Sequence, residues 1–110
     1  MPGAFLLQRS ADRQFYFNLR AANHKAILTS ERYRTKASAQ KGIQAVRDNA
    51  AADARYSRRA SSDGKHYFVL LAANGESLGT SETYTSSGAM QAGIQAVKRN
   101  APTATVVDRT

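Results

Sequence analysis

Shifted by 51 positions, the chain aligns with itself: residues 5–50 fall on residues 56–101 without a gap, and twenty of the 46 pairs are identical. No other feature limits the fold so sharply, because a duplicated unit of about fifty residues fixes the building block. The matches cluster. Tyr16-Phe17 falls on Tyr67-Phe68, Ala21-Ala22-Asn23 on Ala72-Ala73-Asn74, Thr29-Ser30-Glu31 on Thr80-Ser81-Glu82, and Gly42-Ile43-Gln44-Ala45-Val46 on Gly93-Ile94-Gln95-Ala96-Val97. Two copies are too few for a solenoid, and so small a unit buries too little surface to be comfortably stable alone. The expectation is a pseudo-symmetric pair, about 5–53 and 56–110, sharing one core in one domain over 1–110.

Each unit reads as three strands followed by a helix. Phe15-Tyr16-Phe17-Asn18-Leu19 and His66-Tyr67-Phe68-Val69-Leu70-Leu71 are rich in the aromatic and branched residues that favour strands. Asn74-Gly75 after the second is a strong hairpin signal, because both residues tolerate positive φ; Asn23-His24 is a poorer version of the same turn. Asp12-Arg13 and Asp63-Gly64 mark the preceding turns, and third strands are expected over 26–31 and 77–82. In the helices, Ala39, Gly42, Ile43 and Val46 recur at i, i+3, i+4 and i+7, as do Met90, Gly93, Ile94 and Val97. Thr35 or Ser38 is expected to cap the first helix and Ser86 or Ser87 the second, with Asn49 and Asn100 ending them in the left-handed conformation. Glycine inside a helix costs roughly 1 kcal/mol relative to alanine. Its recurrence on the apolar face predicts a helix backbone lying close against the sheet. The segment 54–58 matches 104–109 and is also the first strand of the second copy. One strand is thus expected to close one repeat and open the next, leaving the C-terminal strand to pair with the other copy.

Composition narrows the setting. Forty-two per cent of the residues are hydrophobic, which is a folding composition, and there is no cysteine for disulfides, thiolate catalysis or zinc–thiolate sites. No apolar run reaches the length of a membrane span, and residues 1–7 lack the pattern of a signal peptide, so a cytosolic, non-membrane protein is expected. The net charge of +8 is uneven: residues 1–59 carry twelve Lys/Arg against four Asp/Glu, whereas residues 60–110 carry four of each. Such asymmetry favours an anionic partner.

The Tyr-Phe strands at 16–17 and 67–68, the Ala-Ala-Asn turns, the Thr-Ser-Glu segments and the Gly-Ile helices together resemble the YegP-like family of small bacterial proteins. The resemblance covers nearly the whole chain. It implies an α+β fold made by tandem duplication of a β3-α-β unit. One shared, mainly antiparallel sheet then carries both helices on one face, with C-terminal strands exchanged between repeats. It brings no assigned activity, so no functional residue is carried over.

Read as chemistry, the residues give little. His24 and His66 have no histidine counterpart in the other copy and read as a turn and a strand residue. Asp12 and Asp63 read as turn formers, which Asp favours by bonding its own backbone. Glu31 and Glu82 sit near Tyr33 and Tyr84, where capping or an arginine partner is the simple reading. No metal-ligand spacing, cofactor motif or catalytic set is visible, and a non-enzymatic module is expected. Its partner is a protein, a second copy of the chain or nucleic acid. If the helices cover the Phe17/Leu19 side, the opposite face of the first copy presents Tyr16 and Arg20 with Ile27 and Thr29, and Arg32, Arg34 and Lys36 extend a candidate nucleic-acid surface. The equivalent face of the second copy presents Tyr67, Val69, Leu71 and Leu78, an uncharged candidate interaction patch. Gln40/Gln91, Gln44/Gln95 and Arg47/Lys98 are expected on the solvated side of each helix. Interaction or structural binding is the leading expectation and nucleic-acid binding its alternative.

Overall fold

The computed structural model describes residues 3–110. Its elements run β1 (Ala4–Arg9), β2 (Phe15–Arg20), β3 (Ala26–Ser30), α1 (Lys36–Asn49), a short 3-10 turn (Asp53–Arg55), β4 (Tyr56–Ala60), β5 (His66–Leu71), β6 (Ser77–Thr80), α2 (Ser87–Asn100) and β7 (Thr105–Asp108). All seven strands join one sheet in the order β4-β5-β6-β3-β2-β1-β7. The repeats meet at β3 and β6, where only Thr29↔Thr80 and Ser30↔Gly79 pair. Every pairing is antiparallel except β1 with β7, which is parallel.

Alternation along the strands turns Phe5 and Leu7, Phe17 and Leu19, and Phe68 and Leu70 to one face, where register aligns them across the sheet. Both helices lie on this face, burying Ala39, Ile43 and Val46 from α1 and Met90, Ile94 and Val97 from α2. Each helix packs on the central strand of its own repeat and reaches across the seam: α1 touches β5 and β6, and α2 touches β3 and β2. The core is therefore common to both repeats. Each repeat contributes an aromatic trio, Phe5/Phe17/Tyr33 and Tyr56/Phe68/Tyr84, with an edge-on pair at 5.8 and 5.7 Å and a stacked pair at 6.3 and 6.5 Å.

The helix glycines lie where close approach was expected, and the neighbour is a tyrosine. A methyl group at Gly42 would meet the Tyr33 ring and come within 3.1 Å of Phe17. One at Gly93 would meet Tyr84 and come within 3.3 Å of Phe68. At the pseudo-twofold seam the repeats must differ. Leu28 is fully buried there, and its equivalent is Gly79, where a Cβ would stand 2.9 Å from Leu28 Cγ and 3.0 Å from the Thr29 carbonyl. Only one of the two seam positions has room for a side chain.

Some local expectations are met and others corrected. Thr35 and Ser86 are the N-caps, accepting from the backbone N–H of Ser38 and Ala89 at 3.1 Å. Asn49 and Asn100 do not take the left-handed conformation; their amides donate to the Ala45 and Ala96 carbonyls at 2.8 Å, and the residues that follow remain helical. In the β2–β3 and β5–β6 hairpins positive φ falls on His24 and Gly75, 67° and 86°; Asn23 and Asn74 instead accept from the N–H two residues on, at 3.0 Å. Arg47 and Lys98 turn inward, toward the sheet edges. The Arg47 guanidinium donates to the Ala104 carbonyl at 2.6 Å and lies over Phe5, while Lys98 lies over Tyr56 and bonds Asp53 at 3.0 Å. As expected, β7 crosses to the other repeat. β4 pairs only with β5, so its outer edge has no strand neighbour among the described residues.

Candidate functional site: the open face of the sheet

The face opposite the helices has no helix or strand laid across it among the described residues, and Thr29, in the middle of the sheet, is exposed on it. Register sets out a row across all seven strands: Val107, Leu6, Asn18, Thr29, Thr80, Val69 and Ser57. Tyr16 lies next to this row on β2, opposite Gln8, and Tyr67 holds the equivalent place on β5, opposite Arg59. Both rings are half-buried. Three strand spacings, about 14 Å, separate β2 from β5.

Arginines accompany the tyrosines. The Arg32 guanidinium lies 5.3 Å from the centre of the Tyr16 ring and 3.6 Å from the exposed carboxylate of Asp12. Arg20, two residues along from Asn18 on the same face, donates through Nε to Asn18 Oδ1 at 3.3 Å. Arg59 donates to Ser57 Oγ at 3.1 Å. No strand residue turned to this face is acidic. The Glu31 carboxylate stands at its margin and accepts from Ser77 Oγ at 3.2 Å.

Of the candidate nucleic-acid residues, the structure brings Tyr16 and Arg32 into contact and places Arg20 on the same strand face. Arg34 is exposed before α1. Lys36 stands apart: it is the first residue of α1 and forms an ion pair with Asp108 of β7, on the helix side of the sheet. Arg58 and Arg59, counted with the basic first 59 residues, lie on the far edge strand, and Arg59 was not anticipated as part of the surface. Its strand parity was the available signal.

The uncharged patch does not assemble as pictured. Val69 is only 4% exposed, Tyr67 and Leu71 are half-buried, and Leu78 is 7% exposed and joins the helix-side core. A bulge is the reason: Leu70 pairs with Gly79 and Leu71 with Ser77, so Leu78 is the extra residue and turns to the other face. Ile27 does the same in the first repeat, between Leu19↔Leu28 and Arg20↔Ala26, and lines a surface dip with Ala96 and Arg99 of α2. The exposed large hydrophobics among the described residues are Val106 and Val107 of β7, at 46% and 37%.

The titratable residues take structural places. Asp12 and Asp63 accept from Ser10 and Ser61 hydroxyls and from the N–H groups of Gln14 and Lys65; the serine bonds foremost hold both carboxyls below the usual range. Burial, with neighbouring acids second, pushes the Tyr33 and Tyr84 hydroxyls up. His66 bridges to Tyr84 through backbone bonds, and His24 occupies its left-handed turn. Among the described residues no three His, Asp or Glu side chains gather as a metal site, and no helix is long and apolar enough to cross a membrane.

Comparison with known proteins agrees with the duplicated architecture. The family model described as "Domain of unknown function (DUF1508)" matches twice, at residues 10–57 and 61–108. A UPF0339 protein of Bordetella pertussis is 53% identical over 110 residues, covering 100% of this chain and 98% of its own. The UPF0339 protein YegP of Escherichia coli K12 is 46% identical, covering 100% of both. The solution NMR structure of yegP from E. coli superposes with a TM-score of 0.95 at 45% identity, covering 100% of this chain and 95% of that one. That of a UPF0339 protein from Shewanella oneidensis gives 0.91 at 42%, covering 98% and 92%. Both the duplicated sheet and these matches lead to one assignment: the chain belongs to the DUF1508 family, in its two-repeat, YegP-like form.

Proposed function

We propose that the open sheet face binds single-stranded nucleic acid. The observation that carries this reading is the pair Tyr16 and Tyr67, equivalent positions of the two repeats on one uncovered face, each beside an arginine. Aromatic rings on an open sheet stack unpaired bases irrespective of sequence, and arginines alongside track the phosphates. Arg20, Arg32 and Arg59 supply that charge, and Arg34 extends it. The loss of Leu78 and Val69 from the exposed surface weakens the competing picture of an apolar protein-docking patch.

Fluorescence anisotropy of a labelled single-stranded oligonucleotide, titrated at several salt concentrations, tests the reading. Log affinity is expected to fall linearly with log salt, because phosphate contacts release counterions. Arg20→Ala, Arg32→Ala and Arg59→Ala each flatten the slope, whereas Arg99→Ala leaves it nearly unchanged. Tyr16→Ala and Tyr67→Ala each weaken single-stranded binding by roughly 1–3 kcal/mol with little effect on duplex. Absence of binding at physiological salt, or equal effects from Arg99, overturns it.

The unpaired outer edge of β4 favours a second reading, an interaction module that adds a partner's strand there. Arg58 and Arg59 on that edge also suit a strand guarded against indiscriminate pairing. A specific protein partner whose binding is abolished by a proline at Ser57, with oligonucleotide binding absent, would select this reading.

A further inference from the structure

Where β7 docks beside β1, the open face dips into a concavity of about 410 Å³. Its walls are alkyl: Ala4 and Leu6 of β1, Val107 of β7, and Ala21 and Ala22 of the β2–β3 turn. Arg20, His24 and Arg109 line it too, and no acidic residue does. Arg20 spends its Nε on Asn18, which aims the guanidinium fork, and its terminal nitrogens make no bond to another protein group among the described residues. Arg109 is anchored through its backbone, its N–H donating to the Leu7 carbonyl at 2.8 Å.

The second repeat has no such corner. Leu71 stands at the equivalent of Arg20, Gly75 at that of His24 and Ser57 at that of Leu6, and among the described residues no strand lies outside β4 to form the second wall. The concavity is thus made by the crossing of β7: Arg20 and His24 have no basic counterpart in the second repeat, and Arg109, whose counterpart Arg58 lies on β4, is brought to the corner by that crossing.

The lining specifies the ligand's chemistry. Basic groups without acids select an anion, and guanidinium forks pair well with a carboxylate or phosphate. Alkyl walls without a Phe, Tyr or Trp ring suit a hydrocarbon body. The volume is in the range of small-molecule sites. We propose that this corner binds a short aliphatic carboxylate, its head between Arg20 and Arg109 and its chain along Leu6 and Val107. The proposal does not rest on the nucleic-acid reading: His24 and Arg109 line the corner and are no part of the surface proposed for nucleic acid, and Tyr67 and Arg59 belong to the extended face alone.

Two-dimensional amide NMR of the full chain, titrated with octanoate, tests it. Saturable shifts are expected at Arg20, His24, Thr105, Val107 and Arg109. Acetate lacks the body and octanol the charge, so both are expected to bind at least about tenfold more weakly. Arg109→Gln and Arg20→Gln should each cost octanoate about tenfold in affinity while the spectrum stays folded, and Arg59→Gln should cost nothing. Scattered, unsaturable shifts overturn the proposal. So does octanol binding as well as octanoate, which would mean a purely apolar cleft. Inorganic phosphate binding as well as octanoate also overturns it, since the site would then read charge alone.

Discussion

The two flanks of the sheet are built from the same repeat and end differently. On one, β1 is covered by β7, and Arg47 lies over Phe5 with its guanidinium on the Ala104 carbonyl. On the other, Lys98 replaces Arg47, Tyr56 replaces Phe5 and Asp53 replaces Ala104. The lysine bridges to Asp53, which also pairs with Arg58 at 3.1 Å, and the Tyr56 hydroxyl donates to the Ala50 carbonyl at 2.7 Å. Beyond β4 there is no strand among the described residues. After α1, the turn at Asp53–Arg55 brings the chain into β4 itself, whereas after α2 it continues outside β1. The repeat specifies hairpins and helix, and the residues following each helix decide what the flank becomes.

The strongest way to break this comparison is to remove one side. A fragment of residues 1–53 keeps α1 but loses β5 and β6, which it covers, along with β7 and α2. It is expected to be unfolded, or to dimerise and so restore a second copy. Circular dichroism with sedimentation velocity reads the outcome, and a monomeric, cooperatively melting fragment would show that the repeats are independent.

A smaller effect asks whether the two halves of the core are equally tight. Gly42→Leu and Gly93→Leu should each destabilise by roughly 1–3 kcal/mol in urea unfolding, because Tyr33 and Tyr84 occupy the space a side chain needs. Unchanged midpoints would mean the helices do not lie as described; a large difference between the two would locate the weaker half.

Smaller again is the flank itself. Arg47→Ala removes a charge-assisted bond to a part-buried carbonyl and should cost about 1.5–3 kcal/mol, with faster amide exchange along β7. Lys98→Ala breaks a bridge to an exposed carboxylate and should cost less. Equal costs would erase the distinction drawn between the flanks.

The smallest effect comes from acid. The Lys36 ammonium foremost, then the Thr110 hydroxyl and N–H, hold the Asp108 carboxyl well below its ordinary value of 3.8. A depressed carboxyl contributes stability above its ordinary value and loses it as pH falls toward the folded one, so the window opens near pH 4 and runs downward. Lys98 and Arg58 depress Asp53 in the same sense. Acid should loosen both flanks, but on the β1 side the titrating carboxylate is itself a residue of the edge strand, whereas Asp53 lies before β4 and reaches it through Arg58. Amide shifts of 105–108 should change through this window more than those of 56–60, and Asp108→Asn should abolish the difference.

Periodicity in the sequence carries much of this architecture. Ala39, Ile43 and Val46 are buried as their spacing requires, and the Tyr-Phe strands lie at the centre of each repeat. What escaped depends on steps that periodicity does not carry. A bulge adds one residue, so Leu78 and Ile27 change faces although nothing in their identity announces it. Leu28 and Gly79 look like a conservative repeat broken at random until the seam brings them together and leaves room for one side chain. Arg47 reads as a solvated helix residue because the carbonyl it serves lies 57 residues away. Of the candidate surface, Tyr16 and Arg20 follow from parity along β2 and Arg59 from parity along β4, whereas Arg109 reaches its corner only through the long-range pairing of β7 with β1.

The parallel pairing of β1 with β7 has a mechanical consequence. Gly3 and Thr105 lie at one end of this pair, Leu7 and Arg109 at the other, with bonds from Thr105 to Gly3 at 3.3 Å and from Arg109 to Leu7 at 2.8 Å. Tension applied through the start of β1 and the end of β7 slides the two strands along each other and loads these bonds together in shear. The β3–β6 seam, with two paired positions, lies far from that line of force. Pulled in this way, the molecule resists first at its one parallel pair, and the strand that crosses between the repeats becomes its latch.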